Sequence, residues 1–217
     1  MLRLVLARPA GAPLAILCLG AHADDIEIGA GGALLTLLAR HPGSQVRWVV
    51  FSASHERAAE AQSSARAFLA GAGDSRVDVH DFRDGFFPAE SLRLKEQFET
   101  LKAETAPDLI FTHVRPDHHQ DHRTLAELTA NTWRDHLVLG YEIPKYDPDF
   151  GNPNLFVPLD PEVASRKTDL LMAHFASQRQ RRWFVPETFA ALMRVRGLQA
   201  AAPSGLAEGF YAVKLWL

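Results

Sequence analysis

The stretch LAILCLGAHADDIEIGAGGALLTLLAR, residues 14–40, decides the fold. Leu14 to Leu19 is a continuous apolar run bounded by Pro13 and Gly20, the pattern of a strand buried on both faces. Gly29 to Arg40 is small and apolar at helical spacing and stops near Pro42-Gly43. A strand, a polar turn and a helix in that order open a βαβ unit. Downstream the alternation continues. Val46 to Phe51 reads as a strand and Arg57 to Leu69 as an Ala-rich helix ending at Gly71 and Gly73. Val77 to Val79 reads as a short strand, Ser91 caps a helix to Glu104, and Leu109 to Thr112 is a strand. His122 to Trp133 reads as a helix and Leu137 to Tyr141 as a strand. The five prolines within 144–161 suggest a long surface loop. Helices over Pro161 to His174 and Pro186 to Arg196 follow, and Gly209 to Leu217 is the last strand. The expectation is an α/β fold: one Rossmann-like domain over residues 1–217, with a mostly parallel sheet flanked by helices. Its active site would lie at the carboxyl ends of the strands.

Composition narrows the function. The 217 residues are 47% hydrophobic and carry a formal charge of −3 with no basic block, which excludes the concentrated cationic surface that nucleic acid requires. The one cysteine, Cys18, lies in the apolar run, so no disulfide forms within the chain and a cytoplasmic setting is expected. MLRLVLARPAGAPLAILCLGAHA imitates a secretory leader, with early arginines and an Ala-x-Ala ending at Ala21, His22 and Ala23. Pro9, Gly11 and Pro13 interrupt it, and the segment reads better as a core strand. No apolar run is long enough to span a membrane. Apolar residues near the C terminus either complete the sheet or make a homo-oligomer interface.

Two clusters carry the chemistry. One is GAHADDIEIGAGG, residues 20–32, after the first strand. The other is HVRPDHHQDH, residues 113–122, after the strand at Leu109. Both fall at the same edge of the expected sheet. Catalytic zinc takes three ligands from His, Asp or Glu and leaves one position open. His22, Asp24 and Asp25 offer an imidazole and two carboxylates within four residues. His119 and His122 share a helix face at i and i+3, and His118 and His122 fit equally at i and i+4. Plainer readings stand beside this. Asp24 or Asp25 caps a helix. His113 is a satisfied or exposed imidazole, and His55, His80, His136 and His174 are structural. Gly29 to Gly32 lacks the dinucleotide-binding spacing, so these glycines serve close packing of helix on sheet. His22-x-Asp24 with a distant histidine also matches the facial triad of an iron(II) oxygenase.

At these residues the sequence resembles the PIG-L/LmbE-like family of zinc-dependent N-acetyl-sugar deacetylases. The motif Ala21-His22-Ala23-Asp24-Asp25 is similar to that family's first signature, and His119-Gln120-Asp121-His122 to its second. Arg57-x-x-Glu60, Asp84-Gly85 and the stretch from Lys167 to Gln178 extend the likeness over nearly the whole chain. The resemblance implies one zinc ion per chain held by His22, Asp25 and His122. It implies Asp24 as the general base acting on a zinc-activated water. His119 would stabilise the oxyanion and protonate the leaving amine, and Asp121 would hold His119 in orientation. Arg57 and Asp84 would contact sugar hydroxyls. Ala23 replaces the family's usual proline, which leaves the ligand loop less stiffened by sequence. The implied reaction removes an N-acetyl group from an amino-sugar derivative. The alternatives are a metal-dependent amidase acting on another small amide and a non-catalytic metal-binding relative.

Overall fold

Strand β1 (Ala15–His22) runs through the middle of a seven-stranded sheet in the computed structural model, which describes residues 6, 9 and 11–215. It pairs in parallel with β2 (Gln45–Ser52) on one side and β4 (Leu109–His113) on the other. β3 (Asp74–Val79) extends the sheet beyond β2, and β5 (Leu137–Tyr141) extends it beyond β4, both in parallel. β7 (Ala207–Ala212) then pairs antiparallel with β5, and β6 (Leu155–Pro158) pairs antiparallel with β7 at the edge. The order is 3-2-1-4-5-7-6. The chain leaves β1 in one direction and returns on its other side at β4. This reversal opens a crevice at the carboxyl ends of β1 and β4, where ligands bind in such sheets.

The apolar run of β1 is continuous because both faces of the sheet are covered. Ile16 and Cys18 pack with Val46, Trp48 and Val50 against Ala33, Leu34, Ala61, Phe68 and Leu171. These residues come from α1 (Asp25–Arg40), α2 (His55–Phe68) and α5 (Pro161–His174). Leu17, Leu19, Val49 and Phe51 face the other way, against Leu94, Phe98 and Leu125 of α3 (Ser91–Glu104) and α4 (Gln120–Thr132). The last helix is α6 (Pro186–Gln199). The glycines of α1 do serve close approach. A Cβ on Gly31 would lie 2.6 Å from the Phe68 ring, and one on Gly32 would lie 2.7 Å from Leu159. Glu208 of β7 reaches α1 at this point, accepting from the Gly32 and Ala33 amides at 2.9 and 2.6 Å. Lys167 of α5 donates to Glu208 and to the Ile28 carbonyl, both at 2.6 Å.

Several boundaries differ from expectation. α1 starts at Asp25, not Gly29, and α4 at Gln120, not His122, because the polar cluster residues themselves form the first turns. β3 starts three residues before Val77, and its leading half is exposed and polar, so no apolar pattern marks it. The segment 144–161 is not wholly loop. It contains β6, an edge strand of four residues beside Pro153 and ending on Pro158, where proline is tolerated. The rest of that segment covers the face of β7, where Gly151 packs on Tyr211 and Pro153 on Gly209. The last strand ends at Ala212, and the expected continuation to Trp216 and Leu217 lies outside the described residues, as do Arg3 and Arg8 of the leader-like segment. Among the described residues no helix is long and apolar enough to cross a membrane.

Glu27 of α1 is fully buried, and neither carboxyl oxygen has a hydrogen-bond partner. Burial pushes its pKa well above the ordinary glutamate range, with Asp24 and Asp25 adding to the effect and the Ser64 hydroxyl opposing it. The folded chain therefore keeps a proton that the unfolded chain releases. Its stabilising contribution is whole below the unfolded pKa and is lost as pH rises towards the folded one. Glu27→Gln should match the wild type in stability near pH 4. It should gain on the wild type as pH rises towards 8, by at most about 1.4 kcal/mol per pH unit. Denaturant melts at stepped pH measure this, and a gap that does not change with pH would refute a protonated Glu27.

Candidate metal centre

The switch-point crevice brings the two polar clusters together. His22 ends β1, Asp24 is the N-cap residue of α1 and Asp25 its first residue. His119 is the N-cap residue of α4, and Asp121 and His122 lie in its first turn. Asp24 makes no capping bond with its side chain. His22 Nδ1, Asp25 Oδ2 and His122 Nε2 converge, with separations of 3.2 Å between the two nitrogens, 3.3 Å from His22 to Asp25 and 3.5 Å from His122 to Asp25. Donors bound tetrahedrally at zinc–ligand distances of 2.0–2.2 Å stand roughly 3.3–3.6 Å apart. The triangle therefore fits one face of a zinc tetrahedron.

The outer hydrogen bonds explain how this triangle could hold a cation. His122 Nδ1 donates to Asp117 Oδ2 at 2.9 Å, which leaves the Nε2 lone pair pointing inward. His22 Nε2 faces Asp84 Oδ1 at 3.0 Å and Asp121 Oδ2 at 3.3 Å, which leaves Nδ1 inward. Two ring nitrogens and a carboxylate oxygen thus face one another, and a cation entering here would displace the extra proton that the surrounding carboxylates favour on His22. Burial disfavours charge on His22, but Asp25, Asp121 and Asp84 more than offset it and hold its pKa well above the histidine range. Burial likewise works against ionised Asp25, yet His122, His113 and His22 hold its pKa well below the carboxylate range. His122 responds in the opposite sense: burial first, then His113, lowers its pKa to about 4, so near neutral pH its ring is an uncharged ligand.

Asp24 lies beside this triangle. Its Oδ1 accepts from Arg57 Nη2 at 2.8 Å, while Oδ2 is buried without a partner. Burial raises its pKa against the opposing pull of Arg57. Arg57 thus spends its guanidinium on Asp24 rather than standing free, with Nε buried and unpartnered. Asp84 has a side chain 66% exposed and opens the cluster to solvent.

One expectation needs correction, and two ambiguities resolve. Asp121 does not orient His119 with its carboxylate. That group accepts from the Gly85 amide at 2.6 Å and the Phe87 amide at 3.1 Å and turns to His22, because the first turn of α4 aims it at the loop after β3. Its contact with His119 runs through its own backbone N–H, which donates to His119 Nδ1 at 3.3 Å. His113 is the satisfied rather than the exposed imidazole of the two readings, with Nε2 accepting from the Ala21 amide at 3.0 Å. It is buried, stacks on His122 at a centroid distance of 3.9 Å and brings Nε2 to 3.2 Å from Asp25 Oδ2. His118 is exposed and gives only its amide, to Asp149 at 2.7 Å, so His119 and not His118 joins the cluster.

The residue that sequence reasoning missed is Asp117. It is buried, holds His122 through Oδ2, and through Oδ1 accepts from the His119 amide at 2.8 Å and Lys145 Nζ at 3.1 Å. Burial opposes its ionisation, but the His122 bond and the charges around it hold its pKa far below the usual carboxylate range. The available signal was a carboxylate in the same ten-residue motif as four histidines. Lys145 also binds Asp149 at 2.5 Å, which ties the proline-rich segment to the metal cluster.

Fold and site define a Rossmann-like α/β protein with a His/Asp cluster able to hold a metal ion. The chain belongs to the PIG-L family: residues 17–133, more than half of its length, match the family model described as GlcNAc-PI de-N-acetylase. This is a family of metal-dependent enzymes that hydrolyse amide bonds. No curated protein sequence matches the chain. Among solved structures it is similar to N,N'-diacetylchitobiose deacetylase from Pyrococcus horikoshii, at 19% identity and a TM-score of 0.71, over 94% of this chain and 84% of that one. It is also similar to the A40926 pseudoaglycone deacetylase, at 20% identity and a TM-score of 0.69, over 91% and 96% of the two chains. The 4-carboxy-2-hydroxymuconate hydratase of Pseudomonas putida KT2440 shares the fold too, at 18% identity and a TM-score of 0.71, over 94% and 98%. The fold alone thus hosts more than one reaction. The family match, with its deacetylase neighbours, supports a sugar N-deacetylase.

Asp117→Asn should weaken metal binding by about 10- to 100-fold, the range for a carboxylate that orients a ligand histidine. Competition with a chromophoric chelator measures it. Unchanged affinity would show that His122 is held by its packing against His113 alone.

Proposed function

We propose that this chain hydrolyses the N-acetyl group of an N-acetylglucosamine-containing glycoside or conjugate, releasing acetate and a free amine, with one zinc ion held by His22, Asp25 and His122. The observation that carries this reading is the convergence of two ring nitrogens and a carboxylate oxygen beside a second carboxylate oxygen that has no partner. When bound, zinc supplies an acidified water and polarises the amide carbonyl. Asp24 Oδ2 is free to take the proton of the attacking water, and its raised pKa brings it closer to the working pH of a general base. Arg57 keeps Asp24 aimed without occupying that oxygen.

His119 serves the other half of the reaction. Its Nδ1 accepts from the Asp121 amide, so the neutral ring carries its proton on Nε2. That N–H can stabilise the negative oxygen of the tetrahedral species, while the proton that Asp24 takes from the water passes on to the departing nitrogen. Burial lowers the His119 pKa and so keeps the ring in this neutral, N–H-donating form near neutral pH. Asp84, exposed at the mouth, is placed to meet sugar hydroxyls.

Asp24→Asn should keep its zinc and lose about 10²- to 10⁴-fold in rate, the usual share of a general base. Full activity would remove Asp24 from that role. His122→Ala should lose the metal, as read by elemental analysis of untagged protein. A panel of acetylated amino sugars against non-sugar amides tests the substrate class, and turnover confined to the latter would overturn it.

A further inference from the structure

We propose a binding site for a small aryl phosphate monoester in the cavity beside the C-terminal end of α4. The cavity has a volume of about 230 Å³. α4 packs on β1 and β4, and β5 and the chain leaving β7 extend the sheet beyond it, where the Val213 amide donates to the Val138 carbonyl at 3.2 Å. The lining joins two chemistries. Trp133 and Val138 are buried and make an apolar floor, and Val213 is an exposed apolar wall. The Trp133 indole N–H has no hydrogen-bond partner among the described residues, although a buried indole ordinarily finds one. Around this floor stand Arg115, Arg134 and Lys214, all exposed.

Charge selects the ligand's head group. Among the described residues none of the three cations has a carboxylate partner, and the Arg115 guanidinium has no partner of any kind. Arg134 spends Nε on the Asn131 carbonyl at 3.1 Å, and Lys214 Nζ donates to the Arg134 carbonyl at 2.6 Å, which leaves donors free on both. Asp135, the acid next in sequence to Arg134, is taken by the His136 ring at 2.8 Å. The chain has a net charge of −3, so three unanswered cations around one cavity are not forced by a shortage of acids. A phosphate monoester carries nearly two negative charges near neutral pH, and its oxygens suit the fork of an arginine. Size selects the body. The cavity is smaller than those that take drug-sized ligands, so the floor accepts one ring. A bare phosphate would leave Trp133 and Val213 uncovered, and an uncharged ring would leave the cations unanswered. Arg115 is the cation of the HVRPDHHQDH motif that the metal reading does not use. It lies two residues before Asp117, so the site borders the metal cluster along the chain and shares no residue with it.

Isothermal titration calorimetry of the full chain with phenyl phosphate tests the site. The wild type should bind it saturably, and more tightly than inorganic phosphate, which lacks the ring, or phenol, which lacks the charge. Arg115→Ala should weaken binding about tenfold, the worth of one charge-assisted hydrogen bond. Val213→Glu, which sets a carboxylate on the wall, should abolish it. Both residues are exposed, so both variants should keep the wild-type circular dichroism spectrum. Three results would each overturn the site: no saturable binding, phosphate or phenol bound as tightly as phenyl phosphate, or binding that neither variant weakens. The last would place phenyl phosphate elsewhere on the chain, the metal cluster included.

Discussion

The site depends on one oxygen, Asp25 Oδ2. It accepts from the His22 backbone N–H at 2.7 Å, and the ring nitrogens of His22, His113 and His122 all stand within 3.5 Å of it. A carboxylate buried this deeply would ordinarily take up a proton. It stays ionised because the polar groups around it outweigh the loss of water, and because it opens α1, whose N-terminal dipole favours negative charge. The three histidines come from β1, β4 and α4, so the two sides of the switch point meet around this one oxygen.

The fold makes that convergence possible. Parallel strands bring their carboxyl ends to one edge, so residues ninety positions apart in sequence meet once β1 and β4 pair. The following helices then start at that edge, and both α1 and α4 open with the polar residues of the site. A third contribution comes from the segment after β5, where Lys145 sits between Asp117 and Asp149. Two buried carboxylates so close together would repel without it. Removing that ammonium group would loosen both the segment over the crevice and the carboxylate behind His122.

Much of this was legible in the sequence because local pattern and tertiary role agree. Leu14 to Leu19 reads as a strand since both its faces are buried, and the two motifs whose family resemblance implied His22, Asp25 and His122 as a set do bring those side chains together. What escaped is set by contacts distant in sequence. β6 is short, half-exposed and flanked by prolines, so its pairing with β7 leaves no alternating pattern. The carboxylate of Asp121 could not be assigned to His22 rather than His119, because spacing within α4 says nothing about where the loop after β3 will lie. His113 looked incidental for the same reason: only the pairing of β1 with β4 places it against Asp25.

The alanine at position 23 shows how the chain replaces stiffness that its sequence appears to lack. Proline would restrict that position through its ring. Ala23 is fully buried, and the residues on either side are held independently. The amide of His22 is fixed to Asp25, and the carbonyl of Asp24 accepts from the Ile28 amide at 3.0 Å as the first turn of α1. Gly20 supports the same turn by letting Ile26 pack against it, with room for a side chain closed off by Ile26 at 2.9 Å. The loop is therefore preorganised from both ends by hydrogen bonds and packing. The loss of a ring constraint at its centre acts mainly on the unfolded chain, whose conformational freedom it increases. It bears on stability more than on the placement of His22 and Asp25.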